Sequence, residues 1–256
     1  MGLLSMWPGG VFLSFGLWFD HPLDEPVLAA VGDVLEQNGA TYAGAMFHGP
    51  PGLSFSRVPG APGITYAGVR SAREVRRCLR DGGGYRVAMS LPGLGPAAIS
   101  FEATPGEEVP PERHPVEVTV EAGAFAIPRP LWDDSERAAA EARQAVVLRY
   151  LEACCTALDP AYAVLHSEDS TPTPAALSVG RQLGTDVFVS ERLALEPRLT
   201  QVNRLSHTLR WPTGTFHSGW FLGETPDLDA LLAAWTRPAL LIAERLTETP
   251  TEPRSR

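Results

Sequence analysis

Short segments in which apolar and polar residues alternate recur along this chain, and they limit its fold more than any other feature. The clearest covers residues 11–19, where every second residue is apolar. Similar alternation occurs at 85–91, 97–101 and 116–122. A period of two predicts strands with one apolar face. The chain is therefore expected to build at least one sheet that is covered on its apolar side.

Helix signals separate these segments. Asp24 is a candidate N-cap for a helix that ends near Gly39, and Asp133 with Glu136 resembles a capping box before a long Ala-rich helix. A further helix is expected from about residue 69 to 80, before three glycines. Shorter strands are predicted at 41–47, 162–166, 187–190, 199–205 and 216–222.

The best candidate linker is ATPGEEVPPERHP, residues 103–115, which is rich in Pro and Glu and has no periodicity. It divides an N-terminal α+β half, 1–102, from a C-terminal half, 116–247, and residues 248–256 form a polar tail expected to be disordered. The strings NGATYAGAMFHGP and DPAYAVLHSED occupy comparable places, which suggests an internal duplication. We predict an α+β fold of two tandem strand-helix-strand, ferredoxin-like halves, with mixed or antiparallel sheets and helices packed on one face.

Charge and composition exclude several functions. The 256 residues carry 30 acidic and 21 basic side chains, a net charge of −9, so binding to nucleic acid or to an anionic membrane is not expected. Every basic residue is Arg. Without lysine, P-loop phosphate binding and Schiff-base chemistry are impossible. The rich use of Arg, Ala, Gly and Pro is typical of a high-GC bacterium.

The cysteines and the apolar segments favour the cytoplasm. Cys78, Cys154 and Cys155 are too few for a disulfide framework and are expected to be reduced. The apolar segment at 3–19 has no preceding basic residue and contains Pro8, which does not fit a secretory signal. No apolar run reaches the length of a membrane span.

One candidate catalytic site lies after the first strand. The turn there contains Asp20, His21, Asp24 and Glu25, and His48 ends the second predicted strand. Should these strands run parallel, the two histidines would lie about 5 to 10 Å apart, depending on whether another strand lies between them. His21 or His48 would then act as a base, and the carboxylates would orient it or bind a metal. The alternative is that the carboxylates cap a helix while both histidines occupy surface loops.

A candidate binding surface lies on the second predicted helix. Its arginines fall within one arc of about 100° when each residue advances 100°. They are Arg70, Arg73, Arg76, Arg77 and Arg80. Such a stripe can pair with carboxylates or phosphates, or it can simply keep a helix face solvated in a chain that has no lysine.

Motifs for known catalytic chemistry are absent from the sequence. There is no G-x-S-x-G, H-E-x-x-H or C-x-x-C string. His166 begins an H-x-E, but the P-C-x-x-C of zinc deaminases is missing. The one G-x-G-x-x-A string, at 93–98, contains a proline and lies between strands, which argues against a dinucleotide site. We therefore expect no cofactor and no metal site.

Two strings, PAYAVLHSED and GTFHSGWFL, resemble parts of the acidic α+β immunity-type proteins that accompany bacterial polymorphic toxins, and they cover less than a tenth of the chain. The resemblance implies a protein that binds and blocks a toxin, and no catalytic residue carries over from it. Two hypotheses result: a non-enzymatic cytoplasmic protein that binds another protein, or a His-based or metal-dependent hydrolase around His21 and His48. The sequence identifies neither the partner nor the oligomeric state.

Overall fold

Ten strands form one antiparallel sheet in the computed structural model, which describes residues 8–21, 23, 25–49, 63–79, 84–101, 115–223 and 227–247. The strands are β1 (Phe12–Trp18), β2 (Thr41–Gly49), β3 (Thr65–Ala67), β4 (Gly84–Leu91), β5 (Gly95–Phe101), β6 (Val116–Glu121), β7 (Tyr162–Ser167), β8 (Asp186–Ser190), β9 (His207–Trp211) and β10 (Gly214–Ser218). Their order across the sheet is β3-β2-β4-β5-β6-β1-β7-β8-β10-β9.

The predicted pair of ferredoxin-like halves is wrong, because β1 leaves its own half of the chain. It lies between β6 and β7, where Leu13 is paired with Val120 on one side and with Ser167 on the other. Both edges of β1 are thus hydrogen-bonded to strands of the second half. One continuous sheet results, the chain is α+β in the general sense, and an internal duplication is not confirmed.

Helices cover both faces of the sheet, and not one face as predicted. Neighbouring residues of a strand point to opposite faces. In β7, Leu165 belongs to the larger apolar core, and Val164 belongs to a second core. The larger core includes Leu28 of α1 (Val27–Gln37) and Val75 of α2 (Ala72–Cys78), and it includes Leu151 of α3.

The long helix α3 (Asp134–Leu158) begins where the sequence predicts. The Asp133 carboxylate accepts the backbone N–H groups of Ser135 and Glu136, and Glu136 returns a bond to the Asp133 N–H, so the capping box is confirmed. Bonds from Ser135 and Glu136 to this carboxylate hold the pKa of Asp133 below its usual value. The helix ends at Asp159, which has a left-handed backbone with φ 44°.

The second core is covered by α4 (Pro174–Ser178), α5 (Thr200–Leu205) and α6 (Leu228–Thr247). The strand predicted at 199–205 is wrong, because this segment forms α5. Leu199, Val202 and Leu205 are spaced by three residues, and they all pack in the second core. No helix in the described part of the chain combines the length and the apolarity needed to cross a membrane.

The predicted linker, 103–115, lies outside the described residues except for Pro115, and so does the predicted tail, 248–256.

Two polar anchors hold the chain after β10. Arg129 lies between the rings of Trp132 and Trp220, with its guanidinium carbon 5.4 and 5.5 Å from the ring centroids, and it donates to the carbonyls of Trp220 and Phe221. Gln144 of α3 donates to the same Phe221 carbonyl at 2.5 Å. The segment after β10 is therefore held by α3 and by the part of the chain that precedes α3.

Asp186 provides the anchor on the sheet. Its Oδ1 accepts the Ser218 hydroxyl at 2.5 Å and the Phe221 N–H at 2.8 Å, and its Oδ2 accepts the Thr185 hydroxyl at 2.7 Å. Burial raises the pKa of Asp186, although the bonds from Ser218 and Thr185 act in the opposite direction. A buried carboxylate of this kind persists because its donors replace water.

Substitution of Asp186 tests this anchor. Asp186→Ala leaves buried donors without an acceptor and should lower the free energy of unfolding by about 3 kcal/mol. Asp186→Asn keeps a carbonyl oxygen for Ser218 and Phe221, so its loss should be less than half as large. Urea denaturation at pH 7 measures both values, and equal losses would contradict the assigned role of Oδ1.

Candidate functional site

The carboxylate predicted to assist His21 is already paired. Arg192 binds Asp20 with two nitrogens, at 2.5 and 2.6 Å, and His21 Nδ1 lies 3.2 Å from Asp20 Oδ1. Burial alone would raise the pKa of Asp20, but the bonds from Arg192 and His21 outweigh it and hold the pKa below its usual value. This carboxylate therefore stays ionised in an ion pair. Of the other two predicted carboxylates, Glu25 is paired with Arg76, and Asp24 lies outside the described residues.

His48 occupies a different place. Its Nδ1 lies 3.4 Å from the Thr65 hydroxyl on β3, and its ring is 4.8 Å from the Tyr85 ring on β4. Strands β1 and β2 run in the same direction, which the predicted site requires, so His21 and His48 lie toward one edge of the sheet. Three strands lie between β1 and β2, however. Neighbouring strands are about 4.8 Å apart, so the axes of β1 and β2 are about 19 Å apart. The structure does not bring the two histidines together.

The arginines of the predicted binding surface divide into two groups. Arg76 turns toward α1, where it pairs with the carboxylates of Glu25 and Asp33, and so it joins α2 to α1. Helix α2 is also shorter than predicted, because it begins after the N-cap Ser71. Arg80 lies outside the described residues.

Three of the predicted arginines are exposed. Arg70 precedes α2, and Arg73 and Arg77 lie on it. Arg77 lies 3.7 Å from Glu74, whose other oxygen accepts the backbone N–H of Arg70 at 2.6 Å. Within the described ranges, no carboxylate lies within 4 Å of the Arg70 or Arg73 guanidinium. These three guanidinium groups form the only part of the predicted stripe that the structure shows to be exposed.

A buried polar cluster on the sheet was missed by the sequence reasoning. Glu117 of β6 is 1% exposed, its Oε2 lies 3.2 Å from His166 Nε2 of β7, and its Oε1 accepts the Thr171 N–H at 2.8 Å. The Thr171 hydroxyl lies 3.3 Å from the same nitrogen of His166. Two distant parts of the chain, β6 and the segment 166–171, thus meet around one carboxylate.

The geometry of this cluster does not form a catalytic relay. In a relay, the carboxylate bonds one ring nitrogen of the histidine and the nucleophile bonds the other. Here Glu117 and the Thr171 hydroxyl both face His166 Nε2, while Nδ1 has no partner among the described residues. A carboxylate only accepts hydrogen bonds, so the ring proton of His166 lies on Nε2. That nitrogen therefore cannot accept the proton of the Thr171 hydroxyl. The cluster instead holds the segment after β7 on the sheet.

Gly16 makes the cluster possible. It lies in β1 opposite Glu117 on one side and Val164 on the other, and a Cβ at this position would overlap the Thr171 hydroxyl and the Glu117 carboxylate. The absent side chain leaves a gap through which Glu117 reaches across β1. A glycine inside an otherwise apolar strand was the available sequence signal for such a close approach.

The described residues contain no group of three or more His, Cys, Asp or Glu side chains arranged to hold a metal. The buried neighbours Cys154 and Cys155 also lack the character of nucleophiles. Burial raises the pKa of the Cys154 thiol to about 12, so it stays protonated at neutral pH.

Comparison with known proteins gives little more. No protein family model matches the chain, and no curated protein matches its sequence. Among solved structures, the chain is similar to the Pseudomonas aeruginosa T6SS protein PA0821, with 12% identity and a TM-score of 0.42 over 92% of this chain and 73% of that chain. A likeness at this level shows neither a family nor a function for this chain.

Gly16→Ala tests the polar cluster. The added methyl group must displace Thr171 or Glu117, which should lower the free energy of unfolding by about 1 to 3 kcal/mol. Gly9→Ala is the matched control, because no atom lies within 4 Å of a Cβ built at Gly9. Urea denaturation measures both variants. A Gly16→Ala variant as stable as the control would show that the cluster does not depend on the gap.

Proposed function

We propose that this chain is a non-enzymatic interaction protein that binds an acidic surface of a partner protein through Arg70, Arg73 and Arg77. The immunity-type resemblance further suggests that the partner is a toxin and that binding blocks it in the cytoplasm. The observation that carries the proposal is the exposure of these guanidinium groups. Arg76, their neighbour on the same helix, is instead engaged by Glu25 and Asp33.

The charge of the whole chain supports this interpretation. A net charge of −9 repels an acidic partner from most of the surface, so a local cluster of arginines can select the orientation of approach. Arginine also offers paired donors that match a carboxylate. A protein partner with clustered Asp and Glu side chains fits this surface.

The hydrolase hypothesis lacks its geometric basis. It needs His21 and His48 in one site, whereas β6, β5 and β4 lie between the strands that carry them. Asp20, the carboxylate nearest to His21, is bound by Arg192. We therefore do not propose it as a second function.

The first experiment asks whether a partner exists. Native mass spectrometry of the chain, purified gently from its own host, should show a second polypeptide in stoichiometric amount. Expression of that polypeptide alone should arrest growth of a test strain, and co-expression of this chain should restore growth. Absence of any stoichiometric polypeptide would remove the interaction function, and a harmless partner would remove only the immunity role.

The second experiment tests the surface with the purified partner. Arg73→Ala/Arg77→Ala should weaken binding at least tenfold, about 1.4 kcal/mol, with a larger effect at low salt. Arg204→Ala/Arg237→Ala is the matched control, because it removes the same charge from exposed arginines on α5 and α6. Its affinity should stay within about twofold of the unsubstituted chain. Equal affinity of the two double variants would exclude the arginines of α2 as the binding surface.

A further inference from the structure

A cavity of about 280 Å³ lies beside the strand β9 at the edge of the sheet. Thr208 of β9 and Thr215 and His217 of β10 line one side, and Leu195 and Leu199 line another. Its volume is close to the lower limit of about 300 Å³ for sites that bind small molecules. The cavity is thus large enough for a compact ligand of about ten non-hydrogen atoms.

The most unusual residue of this cavity is His217. Its side chain is 1% exposed, and neither of its ring nitrogens has a hydrogen-bond partner among the described residues. Burial lowers the pKa of His217 to about 4, so the ring is neutral at pH 7. The ring of Trp235 meets it edge to face at 5.5 Å, and the Trp235 N–H also has no partner within the described ranges. Buried polar groups without partners are costly and uncommon in native proteins.

The charged groups that line the cavity are unfavourable for an anion. Arg210 is the only arginine among the lining residues, and it is paired with Glu191 at 3.3 Å. Glu196 lines the same cavity and adds a second carboxylate. A bound anion would therefore meet net negative charge and a neutral imidazole.

We propose that this cavity binds a small uncharged molecule through a primary carboxamide that hydrogen-bonds His217. The neutral imidazole has one donor and one acceptor nitrogen, and the tautomer decides which nitrogen donates. A carboxamide both donates and accepts, so it fits either tautomer. A carboxylate only accepts and carries the disfavoured charge. Thr208 and Thr215 offer hydroxyls to the remaining polar atoms, and Leu195 and Leu199 contact the apolar part of the ligand.

Benzamide and benzoate form a matched pair of probes, since they have the same size and differ in charge and donor groups. Saturation-transfer NMR titrations of the full chain at pH 7 should show benzamide binding at least tenfold more tightly than benzoate. The His217→Leu variant should lose at least tenfold in benzamide affinity. It should remain folded, because an apolar side chain replaces a buried ring without partners.

A second variant distinguishes a loss of ligand contacts from a general effect of His217→Leu on the fold. Thr215→Val changes a partly exposed hydroxyl of the cavity and should weaken benzamide binding about fivefold. Thr156→Val, on the exposed side of α3, is the control and should leave the affinity unchanged. No binding of benzamide, equal binding of benzoate, or full affinity in both cavity variants would overturn the proposal. Because these titrations need no protein partner, their outcome is independent of the proposed interaction function.

Discussion

The pairing of β1 with both β6 and β7 is the constraint on which the rest of the structure depends. Leu13, Phe15 and Leu17 point from this strand into the larger core, and Ser14 and Gly16 point to the opposite face. Burial therefore restricts the three apolar positions on one face, and the polar cluster restricts Gly16 on the other. A shift of one residue in the register would exchange these two sets, so the apolar core and the Glu117 cluster specify the same alignment.

Local features of the fold could be predicted from local sequence. The alternation in β1 and β6 predicts which of their residues share a face of the sheet, and the spacing of Asp133 and Glu136 predicts where α3 begins. The order of the strands could not be predicted, because it depends on pairing between distant segments whose individual strands look alike. The segment 199–205 forms a helix and not the expected strand, because Leu199, Val202 and Leu205 are three residues apart and turn one helical face toward the second core.

In the candidate sites too, the sequence predicts the positions of residues along an element but not the contacts between elements. Helical spacing placed the arginines of α2 on one side, but only the packing of α1 against α2 shows that Glu25 and Asp33 engage Arg76. Glu117 lies on the polar side of the alternation at 116–122, yet it is buried at this point. Whether a polar residue is solvated or enclosed depends on the segment that covers it, here Thr171, and sequence periodicity does not contain that information.

The central position of β1 also has a consequence for the order of folding. The Phe12 N–H bonds the carboxylate of Glu168, which lies 156 residues later in the chain. During synthesis, the first strand emerges before its two neighbours in the sheet, which are residues 116–121 and 162–167. Until then both edges of an apolar strand lack their native partners, which is a condition that favours aggregation. The central sheet can therefore close only after residue 167 has been made, and contacts of such long range slow folding.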